Sequence, residues 1–158
     1  MTANKIDSAI SLIDSSGKDR PILQKKFAVS TQQVEELEKK LGFSLPESYQ
    51  HFLLNYGSGA FEGWEFYGLI PDKSDHPDDV YSFTVELREE HDLPNDLLAI
   101  ENFDGDSVAC LLLSALRDGE CPVILWDHSE GERQIRKPYI LANSFGDYFF
   151  EKVEDAIE

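Results

Sequence analysis

The stretch "LPESYQHFLLNYGSGAF", residues 45–61, contains the change of pattern that decides the fold. Four positions in it follow the i, i+3, i+4, i+7 spacing of one helix face: Tyr49, Phe52, Leu53 and Tyr56. Pro46 suits the first turn of that helix. The helical pattern ends at Gly57–Gly59, and the aromatic residues that follow alternate as in a strand. The segment therefore predicts a helix that turns directly into a β-sheet.

The Gly57–Gly59 turn does not have the order of a phosphate-binding loop. Such a loop leads from a strand into a helix and is usually followed by a lysine. Here the helix precedes the glycines, and no lysine lies between Lys40 and Lys73. The two glycines instead suit a left-handed helix C-cap and a tight return into a strand. We therefore interpret the turn as a feature of the fold.

Two further helices precede this segment. Ile6, Ile10 and Ile13 are spaced as on one helix face. In "STQQVEELEKKLG", residues 30–42, Ser30 and Gln33 have the spacing of a capping box and Gly42 suits the C-cap. Only a few residues separate this helix from the next, so we expect the two to form a helical hairpin.

The pattern after residue 63 predicts four strands and two helices. The predicted strands are "WEFYGLI" (64–70), "LLAIENF" (97–103), "SVACLLLS" (107–114) and "PVILWDH" (122–128). "PDKSDHPDD" (71–79) predicts a loop, and the following residues predict a helix that ends before Pro94. "GERQIRK" (131–137) predicts a turn or an edge strand. A final helix begins after Asn143 or Ser144, either of which can cap it.

This order of elements predicts one α+β domain over residues 1–158, with helices packed on one side of a mainly antiparallel sheet. No apolar run approaches the ~20 residues of a membrane helix, and the N-terminus lacks a signal pattern, so we expect a cytoplasmic protein. The two cysteines, Cys110 and Cys121, fit a reducing compartment and are expected in or near the core.

The charge distribution is the strongest functional signal from composition. The chain has 31 acidic and 14 basic residues, a net charge of −17. Residues 60–132 contain 19 of the acidic residues and only three basic ones. Direct nucleic-acid binding is disfavoured, because phosphate contacts require a Lys/Arg patch. The excess charge either serves solubility or forms an anionic face for a basic partner.

No motif predicts catalysis, a metal site or a cofactor. The acidic loops at 72–79 and 104–106 lack the EF-hand spacing, and they resemble ordinary solvated loops or turns. None of the four histidines belongs to a metal-binding motif, and no nucleophile–base pattern occurs. We therefore expect no enzyme. Two alternatives stay open: a divalent-cation or enzyme site that uses Asp104, Asp106 and His128, or His128 acting as a base beside a cysteine.

The stretch "VEELEKKLGFSLPESYQHFLLNYGSGAFEGWEFYGLIP", residues 34–71, resembles the signature region of the SUKH superfamily. "IENFDGDSVACLLL", "DGECPVILWDH" and "NSFGDYFFEKV" are similar to its later blocks, so that the resemblance covers about residues 30–153. This superfamily includes Smi/Knr-type regulators of fungal cell-wall synthesis and bacterial immunity proteins. The resemblance implies an α+β fold, with a mixed sheet flanked by helices, that binds proteins and has no catalytic residues.

The matched family positions are expected to shape the fold rather than to form a binding site. They are Leu45, Pro46, Tyr49, Phe52, Leu53, Tyr56, Gly57, Gly59, Trp126 and Phe145. Bacterial relatives are similar to antitoxins encoded beside polymorphic toxins, many of which are nucleases. Fungal relatives have long disordered flanks, which this compact chain lacks. The resemblance therefore favours an immunity protein over a Smi/Knr-type regulatory module, which remains the alternative.

The resulting hypothesis is an immunity protein that covers a basic, nuclease-type toxin with an acidic face. The residues predicted to contact the partner are Glu62, Trp64, Glu65, Asp72, Asp75, Asp78, Asp79, Glu89, Glu90, Asp104 and Asp106. Trp64 is the candidate aromatic anchor and is equally well placed in the core. We expect no cofactor, no direct contact with nucleic acid or membrane, and a monomer or a homodimer.

Overall fold

The computed structural model describes residues 2–15, 22–24, 29–61, 64–69, 79–103, 106–130 and 133–157. The helices are α1 (Thr2–Ser15), α2 (Thr31–Leu41), α3 (Glu47–Tyr56), α4 (Val80–His91), α5 (Arg133–Arg136) and α6 (Phe145–Ile157). The strands are β1 (Ile22–Gln24), β2 (Ser58–Phe61), β3 (Trp64–Phe66), β4 (Leu97–Phe103), β5 (Ser107–Leu112), β6 (Val123–Asp127) and β7 (Tyr139–Ala142). The sequence loop at 71–79 lies outside the described residues except for Asp79.

The N-terminal helices begin and end as their sequence predicts. Ser30 and Gln33 form the capping box of α2, and Gly42 ends that helix in the left-handed conformation with φ 76°. Gly57 ends α3 with φ 75°, and its N–H donates to the carbonyl oxygen of Leu53. Ser58 and Gly59 already belong to β2. The turn from helix to sheet therefore needs a single glycine with positive φ.

The strands form two antiparallel sheets that meet at one hydrogen bond. The sheet orders are β1-β2-β3 and β4-β5-β6-β7. A bulge between Ala99 and Glu101 leaves Ile100 out of the β4–β5 register, and the Ile100 carbonyl accepts a hydrogen bond from the Tyr67 N–H at 2.9 Å. Gly68 and Asp79 form an isolated bridge in which the two backbone segments are parallel. The bulge thus provides a hydrogen-bond acceptor that links the two sheets.

Helices cover both faces of the β4–β7 sheet. Leu98, Ala109 and Val123 face a core that includes α1, α3 and α6. The alternate side chains, such as Cys110 and Trp126, face a second core closed by Phe83 of α4. The expectation of helices on one side is therefore wrong, because β5 and β6 are apolar on both faces and both faces must be covered.

Three local predictions differ from the structure. β1 was not expected, because Pro21 and its neighbours indicated a break; it pairs with β2 through Ile22 and Ala60. "GERQIRK" contains the short helix α5 instead of an edge strand, and the edge strand is β7, directly after Pro138. The first predicted strand, 64–70, is limited to Trp64–Phe66 because the chain then crosses to Ile100.

The remaining elements agree with the sequence analysis. Asp118 and Gly119 both have positive φ, 52° and 83°, as a two-residue turn between Arg117 and Glu120 requires. Ser144 caps α6, since its hydroxyl accepts a hydrogen bond from the Asp147 N–H at 3.0 Å. Among the residues that the structure describes, no helix has both the length and the apolar character needed to cross a membrane.

Candidate functional site

Asp79 is the N-cap residue of helix α4. Its carboxylate accepts hydrogen bonds from the backbone N–H groups of Tyr81 and Ser82, both at 3.1 Å, and the residue is only 3% exposed. These are the amides that an N-cap satisfies. Sequence reasoning placed Asp79 in a solvated acidic loop that contacts a partner. The structure corrects this, because the buried carboxylate is occupied by the helix.

The outer face of α4 carries a group of exposed carboxylates, which we call the α4 acidic surface: Glu86, Glu89, Glu90 and Asp92. The inner face packs on β4, where the Thr84 hydroxyl oxygen accepts a hydrogen bond from the Ala99 N–H at 3.0 Å. This contact fixes which side of the helix faces solvent. Within the described parts of the chain, the four carboxylates form no ion pair or hydrogen bond. Their charge is therefore available to a partner.

A small pocket with a cavity volume of about 10 Å³ lies at the C-terminal end of α4, and we call it the His-Trp pocket. Its lining consists of Leu87, His91, Asp106, Ser107, Val108, Trp126 and His128. The His91 and His128 ring centroids are 4.2 Å apart, with the ring planes tilted by 43°. The exposed Asp106 extends the negative charge of the α4 acidic surface to this pocket.

Three buried polar atoms at this pocket have no hydrogen-bond partner within the described parts of the chain. The Nε1 atom of Trp126 and both ring nitrogens of His128 are buried and form no hydrogen bond with any residue that the structure describes. Trp126 is 6% exposed and belongs to the core between α4 and the sheet. Buried polar groups in folded proteins are nearly always paired, so unpaired ones mark a place for water or a ligand.

Apart from Asp79, the predicted partner-binding residues divide into three groups. Glu89, Glu90 and Asp106 are exposed around α4 and the His-Trp pocket. Glu65 is exposed on β3, where it lies opposite Ala60 of β2. Glu62, Asp72, Asp75, Asp78, Asp104 and the side chain of Trp64 lie outside the described residues. Sequence reasoning did not select Glu86 or Asp92; the i, i+3, i+4 spacing with Glu89 and Glu90 was the signal that places Glu86 beside them.

The alternative cation site is only partly assembled. The structure brings Asp106 and His128 to one pocket, together with His91, whereas Asp104 is not described. In the part of the chain that the structure covers, no three His, Cys, Asp or Glu side chains are arranged to hold a metal ion. The His-Trp pocket therefore has two imidazoles and one carboxylate in its lining but not the geometry of a metal centre.

The cysteines are buried in the protein core. Burial raises the pKa of the Cys110 thiol, and burial together with the nearby Glu120 charge raises the pKa of Cys121 to about 12. A thiol with such a pKa is not a nucleophile at neutral pH. His128 was the candidate base beside a cysteine, and the ring that packs against it is that of His91. These positions agree with the prediction that both cysteines lie in or near the core.

A buried acidic network lies on the opposite face of the sheet. Tyr148 of α6 donates a short hydrogen bond from its hydroxyl to the Glu101 carboxylate, and the Lys152 ammonium is 4.0 Å from the same oxygen. Burial raises the pKa of Glu101. Lys152 also lies over the Phe103 ring at 4.9 Å. This network joins β4 to α6, and its Glu101 carboxylate is buried.

Comparison with known proteins identifies the family. A SUKH family model described as SMI1-KNR4 cell-wall matches residues 6–154. A crystal structure of a protein from Pseudomonas syringae pv. tomato has a similar fold, with a TM-score of 0.56 at 16% identity. That match covers 77% of this chain and 83% of the other. Because the family model spans nearly the whole sequence, the chain belongs to the SUKH family in its SMI1-KNR4 group.

Proposed function

We propose that this chain is an immunity protein that neutralises a basic, nuclease-type toxin by covering its active site with the α4 acidic surface. Membership in the SUKH family supports a protein-binding role. A nuclease site attracts phosphate and is commonly basic, so an anionic surface complements it. Four exposed carboxylates on one end of a helix, extended by Asp106, provide that surface.

The observation that carries this proposal is that the surface charge is not neutralised within the chain. Carboxylates that serve the fold here have partners: Asp7 interacts with His51 at 3.0 Å, and Asp147 interacts with Lys5 at 2.8 Å. Glu86, Glu89 and Glu90 have none among the described residues. Unpaired like charges on one face destabilise a fold slightly, so their benefit is expected in association with a cationic surface.

We further propose that the protein acts by binding, without catalysis. A substrate or cofactor pocket typically has about 300–1,000 Å³, whereas the cavity of the His-Trp pocket has about 10 Å³. The burial of both cysteines also supports this proposal, because neither thiol is accessible for nucleophilic chemistry.

The test begins with affinity capture from a lysate of the source organism at low salt, followed by a salt gradient and identification of the retained protein. The triple variant Glu86→Lys, Glu89→Lys, Glu90→Lys is then compared with Glu35→Lys, Glu36→Lys, Glu154→Lys. The control changes the net charge equally on exposed positions of α2 and α6. We expect the α4 variant to lower the association rate constant at least ~10-fold and to flatten its salt dependence.

Equal effects of the two triple variants would contradict the proposed surface, because they would show a response to net charge alone. A captured protein whose activity continues in the complex would contradict neutralisation. Asp79 is excluded from the variants because its replacement would disturb the start of α4.

A Smi/Knr-type regulatory module is the second candidate function, favoured by the cell-wall description of the matching family model. It predicts that the protein retained at high salt is a host regulator or cell-wall protein rather than a toxin. The same capture experiment separates the two functions. A toxin domain retained beyond ~0.2 M salt, where exposed ion pairs are largely screened, supports the first.

A further inference from the structure

Strand β7 ends the four-stranded sheet with one edge that is not covered by any strand the structure describes. Its inner edge pairs with β6 through Tyr139, Ile140 and Ala142. Within the described parts of the chain, β7 forms no backbone hydrogen bond to a further strand or loop. An edge of this kind presents a row of N–H and C=O groups that can pair with one more extended segment.

The strand exposes a large apolar side chain on each face of the sheet. Tyr139 is 66% exposed and Ile140 is 47% exposed. Ile140 lies opposite Ile124, which belongs to the core under α4, so Tyr139 lies on the other face. Leu141 and Ala142 pack in the core that includes α1, α3 and α6, and they hold the strand in place. A strand added to this edge therefore has an apolar side chain beside it on either face.

The charge beside β7 is opposite in sign to that of the whole chain. Residues 133–146 contain three basic and no acidic residues, whereas the net charge of the chain is −17. Arg136 and Lys137 lie just before the strand and are both exposed. Lys137 and Pro138 discourage pairing with an uncharged or cationic strand. A carboxylate opposite Lys137 turns this obstacle into an attraction, so the charge favours an acidic segment.

We propose that the outer edge of β7 receives an extended acidic segment of a protein partner, which adds to the sheet as a further strand. Backbone pairing requires a polypeptide, because a nucleic acid offers phosphates but no alternating N–H and C=O groups. The carboxylates of the segment contact Lys137, and its apolar residues contact Tyr139 and Ile140. The inference goes beyond the proposed function, because it gives the chain a second contact surface whose charge is opposite to that of the α4 acidic surface.

The test titrates the full chain with three synthetic peptides, each N-acetylated and C-amidated. The acidic probe is EVTVEVTE, the basic match is KVTVKVTK, and the third is the acidic probe with four successive peptide nitrogens methylated, which removes N–H donors from both of its edges. The β7 amide resonances are followed by ¹⁵N NMR at about 0.15 M NaCl, where the screening length is ~8 Å and distant charges contribute little. We expect the acidic probe to bind at β7 with a Kd on the order of 1 mM, at least ~5-fold more tightly than the other two.

Three variants make the result specific. Lys137→Glu is expected to weaken binding of the acidic probe at least ~5-fold and to remove its advantage over the basic match. Lys39→Glu makes the same charge change at an exposed position of α2, and it is expected to leave both titrations unchanged. Tyr139→Thr keeps a residue suited to a strand and is expected to weaken binding of the acidic probe ~2–5-fold. Resonances of β4 and β5 that match those of the wild type show that each variant is folded.

Four results would overturn the proposal: no response of the β7 resonances to the acidic probe, equal binding of the acidic and basic peptides, equal binding of the methylated peptide, or equal effects of Lys137→Glu and Lys39→Glu. Shifts of the β7 resonances with protein concentration alone would assign the edge to a second copy of this chain instead. The titration uses no toxin and no glutamate of α4. Its failure therefore leaves the proposed function standing, and failure of charge reversal on α4 leaves the β7 result standing.

Discussion

Asp79 illustrates at the scale of one residue how an acidic sequence divides between structure and surface. Of the four aspartates between residues 72 and 79, Asp79 directly precedes helix α4, and it is the one the structure shows as a buried N-cap. Composition alone predicted one solvated loop. The capping position was readable from the apolar spacing that begins at Val80, because Asp immediately before a helical pattern is a start signal.

We predict that Asp79→Ala lowers the free energy of unfolding by about 1–2 kcal/mol, because two backbone N–H groups lose their acceptor. Asp79→Asn keeps an acceptor oxygen and should cost less. Urea unfolding of both variants checks this. If Asn were as harmful as Ala, the contribution of Asp79 would come from its charge rather than from the cap.

Glu101 provides a pH-dependent prediction at the same scale. Burial raises its pKa above the ordinary 4.5, so the folded state binds this proton more tightly than the unfolded state. Its contribution to stability is therefore complete below pH 4.5 and is lost as the pH rises through the raised pKa. We expect the stability of the wild type relative to Glu101→Gln to fall over that window, by at most ~1.4 kcal/mol per pH unit.

Urea unfolding of the wild type and of Glu101→Gln at several pH values from 4 upward measures this difference, and other titrating groups cancel between the two proteins. A difference that rises with pH would show that the Lys152 ammonium, 4.0 Å away, dominates over burial. The Tyr148 hydroxyl can donate to either side chain, so its hydrogen bond is retained in the variant.

At the scale of elements, Ser48 connects three parts of the chain. Its hydroxyl donates to Glu120 at 2.7 Å and accepts from the Gly146 N–H at 3.1 Å. The Glu120 carboxylate also accepts from the Ser48 N–H at 3.0 Å, which satisfies the start of α3. The 117–120 turn and the first turns of α3 and α6 are therefore held together by one fully buried serine.

We predict that Ser48→Ala destabilises the protein by about 2–3 kcal/mol, because it leaves the buried Gly146 N–H without its acceptor. Ser114→Ala is the control, since the Ser114 hydroxyl also binds a carboxylate, that of Asp96, at an exposed site. Its cost should stay below about 1 kcal/mol. If chemical unfolding showed that the two variants lose the same free energy of unfolding, the role of Ser48 as a junction would be contradicted.

Strand β7 is the element whose surface is least expected from the sequence. It forms the described edge of the four-stranded sheet, and Tyr139 and Ile140 are 66% and 47% exposed. An edge strand with exposed apolar side chains can pair with another chain. Lys137 and Pro138 directly precede it, and such residues discourage pairing. The choice between monomer and homodimer stays a prediction of the sequence analysis.

At the scale of the whole molecule, the net charge of −17 opposes compaction. We predict that raising NaCl from 0.01 to 0.15 M increases the free energy of unfolding, on the order of 1 kcal/mol, as the screening length falls from ~30 to ~8 Å. The variant Glu86→Gln, Glu89→Gln, Glu90→Gln should show a weaker salt dependence than Glu35→Gln, Glu36→Gln, Glu154→Gln.

Thermal or urea unfolding at the two salt concentrations measures the effect. Gln and Glu have similar helix propensities, so differences between the variants report on charge. A fall in wild-type stability with salt would mean that favourable ion pairs, such as that between Lys5 and Asp147, outweigh the repulsion.

The sequence by itself determined the family, the α+β class, and the limits of α2, α3 and α6, because caps and periodic apolar faces are local signals. It also determined where along the chain the negative charge is concentrated. It placed Glu89, Glu90 and Asp106 in the candidate surface, and these three are exposed around α4 and the His-Trp pocket.

Only the tertiary structure decided which acidic residues are available to a partner and what lies beside them. Asp79 is buried as the N-cap of α4, and His91, Asp106, Trp126 and His128 meet because the C-terminal end of α4 lies beside β5 and β6. The cap at Asp79 is readable from local pattern, whereas the meeting of the pocket residues is not. Pocket formation depends on contacts between His91 and residues 15 to 37 positions further along the chain, and spacing within one element carries no information about such contacts.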